Sequence, residues 1–149
     1  REASVREQDD TKVDPLLPLI PLGELFLHRC NDALYGLDMY RILKESKVTF
    51  NLHTDETGNS VANMRLFEAT GVGTCLLTDT RANMSDLFEA GQEVITYSTV
   101  DEAVEKVKYL LEHEDERQAI AQAGQDRTLK DHTIINRCQR IDEVIQGKL

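Results

Sequence analysis

The chain has 149 residues, 30% of them charged, with a formal net charge of −10. That length suits one domain, able to bury roughly 68–70% of its unfolded surface without help from a disulfide or a metal. The acidic balance excludes a broad nucleic-acid footprint, which needs clustered Lys and Arg, but it leaves room for a nucleotide held by a few local groups.

In chain order, residues 1–14 are polar and charged and read as a disordered arm. Residues 15–22 carry Pro15, Pro18 and Pro21 and read as an extended connector. Glu24–His28 is expected to be a strand. A helix is expected to open at Gly36, carry Leu37, Tyr40 and Leu43 on one face, and end near Ser46. An alternation of strands and helices follows: strand Val48–His53, helix Met64–Thr70 with Gly71 as its cap, and strand Thr74–Thr78. A short helix Met84–Phe88 and strand Glu93–Tyr97 come next. Thr99–Glu102 has the pattern of a capping box. The helix it starts carries Val100, Ala103, Val104, Val107, Leu110 and Leu111 on one stripe. Glu114–Ala123 reads as a further helix ending near Gly124. Thr133 is expected to cap a last helix whose apolar positions are Ile134, Cys138, Ile141 and Ile145. Alternating strands and helices imply an α/β fold with a parallel sheet. The expected organisation is an arm over 1–34 and a Rossmann-like domain over 35–149.

Cys30, Cys75 and Cys138 are odd in number and widely spaced, neither a disulfide framework nor a zinc pattern. Cys75 reads as core, and a reducing, cytoplasmic setting fits best. No stretch approaches the roughly 18 apolar residues of a membrane span, and no signal peptide is visible. An opening at Arg1 rather than Met suggests a fragment or a processed product.

Ligands in parallel sheets sit beyond the C-terminal ends of the strands, where His53, Asp79 and Ser98 fall. From the first of these ends leaves a polar gap, residues 54–62, longer than the roughly 2–6 residues usual in α/β units. The helix after it would aim unpaired N–H groups at a diphosphate, with Asn63 as cap and Arg65 in the first turn. The alternative is an ordinary capped helix with a solvated Arg. Glu68, among Leu66, Phe67 and Ala69, suits either a sugar diol or a pairing with a nearby Lys or Arg. His53 and Asp55 are acid–base candidates, set against a structural role for His53. Asp79-Thr80-Arg81 reads first as a turn signal. His132 is a contact of the C-terminal helices. Gly-x-Gly-x-x-Gly, Walker A, Gly-x-Ser-x-Gly and metal-spacing motifs are all missing.

Tyr35–Arg41, Lys47–His53, Asn63–Gly73, Leu76–Asp79, Asp86–Gly91 and Ala121–Gly124, in that order, resemble the CgeB-like (spore-maturation-type) glycosyltransferase family. The resemblance spans about residues 35–145. It implies the C-terminal, donor-binding half of a GT-B enzyme, in which a nucleoside-diphosphate sugar is the substrate and no metal or cofactor is expected. Retaining relatives carry a Glu-x7-Glu motif, whose second Glu contacts the donor ribose and falls on Glu68. The first falls on Ser60, a departure from the motif. The implied donor-binding set is Gly58, Asn59, Ser60, Asn63, Met64, Arg65, Glu68 and Asp79, with His53 on the sugar side. The resemblance also implies an N-terminal acceptor-binding domain, which residues 1–34 are too few and too polar to supply; the acceptor is unknown, no membrane span is expected, and activity is expected to need the missing half. The alternative is a non-catalytic, glycosyltransferase-derived nucleotide-binding or assembly module.

Overall fold

The computed structural model describes residues 22–53, 58–61 and 63–147. The expectations for residues 1–21 and for Asp55 lie outside the described residues.

Three parallel strands form one sheet in the order β1 (Val48–Asn51), β2 (Cys75–Asp79), β3 (Ile95–Tyr97). Every residue of β2 is buried, as expected of a central parallel strand covered on both faces. Its side chains alternate between two layers. Leu76 packs with Leu66 and Ala69 of helix α3 (Arg65–Gly71). Cys75 and Leu77 face the other way, toward Leu110 and Ala103 of α4 (Val100–Glu112) and Ile120 of α5 (Glu114–Asp131). The fold is an α/β, Rossmann-like arrangement. Burial pushes the Cys75 thiol up to about 11, so it is an inert core residue.

Several expected elements shift. Glu24–His28 is not a strand; α1 (Leu22–Leu25) is one helical turn, followed by a turn closed by Arg29 N–H on the Phe26 carbonyl. A short apolar run does not distinguish the two states, and this one lies exposed with no sheet neighbour. Helix α2 (Gly36–Glu45) buries only Leu43, while Leu37 is exposed. Strand β1 stops at Asn51 because the His53 N–H leaves the ladder and donates to the Asp79 side chain at 3.0 Å. Met84–Asp86 is a single 3-10 turn.

Helix ends moved for identifiable reasons. Gly71 belongs to α3, and the left-handed residue after it is Gly73, at φ 81°. Thr99 accepts from the Glu102 N–H, but the Glu102 carboxylate caps Ser98 rather than Thr99. Of the expected α4 stripe, Ala103 and Leu110 are buried and Val100, Val104 and Leu111 are exposed. Helix α5 continues through Gly124, where the absent side chain lets the helix touch the Glu93 carbonyl and the Thr70 methyl. The Thr70 and Thr128 hydroxyls meet at 2.7 Å, and Gln125 donates to the Gly71 carbonyl at 3.0 Å, joining α5 to α3. Thr133 caps α6 (Ile134–Ile145) as expected, through a capping box with Asn136. Its apolar positions Ile134, Cys138, Ile141 and Ile145 are not buried against the described residues.

Ala ordinarily stabilises a helix by about 1 kcal/mol over Gly. At position 124 the sign reverses, because a Cβ would collide with backbone. Gly124→Ala is expected to lower unfolding stability by about 1–3 kcal/mol, read from the midpoint of urea denaturation. An unchanged or raised midpoint contradicts this packing.

Candidate functional site

A buried ionic knot sits at the C-terminal end of the sheet, and an open groove runs along α3. The knot centres on Asp79. Its Oδ1 lies 2.6 Å from His53 Nδ1 and accepts the His53 backbone N–H; its Oδ2 accepts from Arg81 Nε at 2.6 Å. The other two guanidinium nitrogens donate to the backbone carbonyls of His53, at 2.9 Å, and of Gly58. Facing a carboxylate, Nδ1 is the nitrogen that carries the proton. Nε2 is buried without a hydrogen-bond partner among the described residues. Arg81 thus ties both ends of the 54–57 segment to the sheet.

Further bonds hold the rest of the gap. Ala82 N–H donates to the Asn59 carbonyl at 3.0 Å, and Asn83 Oδ1 accepts the Val61 N–H at 2.6 Å. Asn63 Nδ2 reaches Asn51 Oδ1 at 2.9 Å, and Asn51 Nδ2 in turn reaches Thr78 Oγ1 at 2.9 Å. Tyr97 donates its hydroxyl to the Asn51 carbonyl and stacks on Phe50. Burial, then the Asp79 charge, push that phenol up to about 12.

The groove lies between α2, α3 and the start of α6. Its volume is about 800 Å³, within the range of small-molecule sites. Val61, Asn63 and Asn83 line it near the strand ends, Glu68 and Phe67 on α3, and Arg137 on α6. Phe67, Phe88 and His132 form an aromatic cluster with centroids 5.1–5.9 Å apart. His132 Nε2 is tied to the Leu87 carbonyl at 2.9 Å.

The expected site residues therefore separate. Asn63, Met64 and Glu68 line the groove. Arg65 lies on the same helix, paired with Glu68 at 3.3 Å, which is the ion-pair alternative for that carboxylate. Asn63 does not cap α3; Met64 holds the N-cap position, and the Asn63 Nδ2 donates to Asn51 Oδ1. Gly58, Asn59 and Ser60 are exposed on the loop outside this groove. His53 and Asp79 are locked in the knot, the His53 side chain fully buried. They support the loop and do not line the groove. The contributions of Arg81, Asn83 and Arg137 were not read from sequence. The Asp79-Thr80-Arg81 turn signal was the only local hint, and nothing near Arg137 marks it.

A model of the glycosyl transferase-like family matches residues 22–143. The chain belongs to that family. The match takes in α1 to nearly the end of α6, so both walls of the groove lie within the glycosyl transferase-like region. No curated protein shows significant similarity to the chain. Among the described residues, no helix is long and apolar enough to cross a membrane.

The knot has a consequence for acid stability. Burial alone would raise the Asp79 carboxyl, but hydrogen bonds from His53 and Arg81 outweigh it and hold Asp79 below the ordinary carboxylate value. A depressed folded-state value stabilises above the unfolded pKa, and that stabilisation is lost as pH falls through the folded value. The expected loss begins below about pH 4. Asp79→Asn should lower stability at neutral pH and flatten this acid limb. Parallel acid limbs in denaturation series of the two proteins contradict the assignment.

Proposed function

We propose that this chain is the donor-binding half of a GT-B, CgeB-like glycosyltransferase. The reaction moves a sugar from a nucleoside diphosphate to an acceptor held by another domain. The anomeric carbon–oxygen bond breaks, the diphosphate leaves with the electron pair, and the acceptor oxygen forms the new bond as its proton passes to a base. The observation that carries this reading is the groove itself. In a glycosyl transferase-like chain, a cavity of ligand size runs along α3 from its start and is lined there by Asn63, Met64 and Glu68.

In this reading Glu68 accepts the ribose hydroxyls and Arg65 orients its carboxylate from 3.3 Å. Met64, at the N-cap of α3, flanks the donor. Gly58, Asn59 and Ser60 cover the sugar from the loop. His53 and Asp79 act as positioning residues, holding the loop through Arg81. The reading assigns no resident metal or cofactor. A second reading, a glycosyltransferase-derived module that binds nucleotide without turnover, draws support from the complete burial of the His53 ring and from Ser60 in place of an acidic residue.

Thermal unfolding with a panel of nucleoside diphosphates and their sugars tests the shared premise. A ligand at 100 times its dissociation constant stabilises by about 2.7 kcal/mol, a rise of several degrees at roughly 2–4 °C per kcal/mol. No rise with any member removes the donor reading. Glu68→Ala should weaken the best nucleoside diphosphate by about tenfold or more, since charge-assisted hydrogen bonds contribute roughly 1.5–3 kcal/mol each. Pyrophosphate, which has no ribose, should bind the variant at least as well, because Arg65 is released. Equal losses for both ligands contradict a ribose role.

A further inference from the structure

The charges around the groove are unevenly satisfied. Arg65, the cation beside the expected diphosphate, is already engaged by Glu68 at 3.3 Å. Helix α3 has only seven residues, so its N-terminal end supplies little field of its own. Most other arginines of the described residues have a carboxylate: Arg41, Arg81, Arg117, Arg127 and Arg140 each have one within 4 Å. Arg137 lines the groove and has no ion pair or side-chain hydrogen bond among the described residues.

Its position is nevertheless defined. The Cζ atom sits 4.5 Å over the centre of the Phe67 ring. Phe67 is itself packed against Phe88 and His132. The Arg137 N–H closes the first turn of α6 on the Thr133 carbonyl, behind a full capping box. His132, just before that cap, is bound to the Leu87 carbonyl. A guanidinium held over an aromatic ring still carries five N–H donors, in the fork that matches phosphate oxygens. Asn63 also lines the groove, and its Oδ1 is buried and without a hydrogen-bond partner among the described residues. A chain of net charge −10 repels anions at long range, so an anionic ligand needs a local cation of this kind.

We propose that Arg137 is a further binding residue of the groove, taking the diphosphate of the nucleotide donor on the α6 side while Glu68 takes the ribose. The assignment rests on the donor reading above. It makes α6 a wall of the donor site rather than a trailing helix.

Calorimetric titration of the full chain with the nucleoside diphosphate panel and with pyrophosphate tests it. Arg137→Met keeps an apolar stem over Phe67 and removes the charge. It should weaken the best nucleoside diphosphate and pyrophosphate alike, by about tenfold to a hundredfold. Arg137→Lys should recover part of both losses. Arg140→Gln, on an exposed pair with Glu143 of the same helix, should change neither. Arg137→Gln repeats the measurement if the Met variant unfolds. Wild-type-like nucleotide and pyrophosphate binding in the neutral variants overturns the Arg137 role and leaves the donor reading standing. Arg137-dependent pyrophosphate binding with no nucleotide binding does the reverse: the anion site holds and the donor reading falls. A wild-type chain that binds neither ligand removes both.

Discussion

Asp79 is the hinge point of this end of the molecule. Its carboxylate, buried at the last residue of the central strand, joins three groups that would otherwise have no common partner: the His53 ring, the His53 backbone and the Arg81 guanidinium. Removing such charges from water costs several kcal/mol per ion. That cost is offset here because nearly all of the polar capacity is used. Arg81 spends its remaining nitrogens on the carbonyls of His53 and Gly58, and the chain on either side of residues 54–57 is thereby held against the sheet. Beyond this knot, Val61 is held by its core packing and by Asn83, and Asn63 by Asn51, which together define the near end of the groove.

The groove depends on that end and on a second anchoring at its far side. His132 and Arg127 both reach the Leu87 carbonyl, at 2.9 and 3.2 Å, and so set where α6 begins. Helix α6 buries no residue of its own. Its attachment is therefore a matter of a few directed contacts rather than of apolar area. This explains how a helix with an exposed apolar face can still present Arg137 at a defined place over Phe67.

Much of the fold was legible. The run Cys75–Leu77 is apolar on consecutive positions, as a strand covered on both faces favours, and the alternation with helices made the parallel sheet the natural outcome. Thr99 and Thr133 marked helix starts by a local hydroxyl-to-N–H bond, and such bonds depend on nearby residues only. Positions whose role is set by distant partners were misread. Gly124 looked like a helix end, yet it is a contact point with Glu93, and that neighbour cannot be seen from the helix sequence. The exposed Val100, Val104 and Leu111 show the same limit: period places residues on a stripe but does not say how wide the partner surface is. For the site, Asn63, Met64 and Glu68 were placed together because they sit within two turns of one chain segment. His53 and Asp79 were placed at two strand ends, and only the tertiary structure shows that they meet in one buried contact.

The amino-acid pattern by itself determined the α/β class, the parallel order, the strand ends at which a site would form, and, through the resemblance of its motifs, membership of a glycosyltransferase family. The α/β class and the parallel sheet follow from short-range periodicity and from local capping, which need no knowledge of the rest of the chain, whereas the family rests on the likeness of whole motifs. Tertiary structure decided which polar groups neutralise one another. Arg81 met Asp79, Arg65 met Glu68, and Arg137 came to rest on Phe67 with no ion pair among the described residues. Charge pairing is a property of distance in space, and the residues that close the groove from α6 lie far along the chain from the loop that opens it.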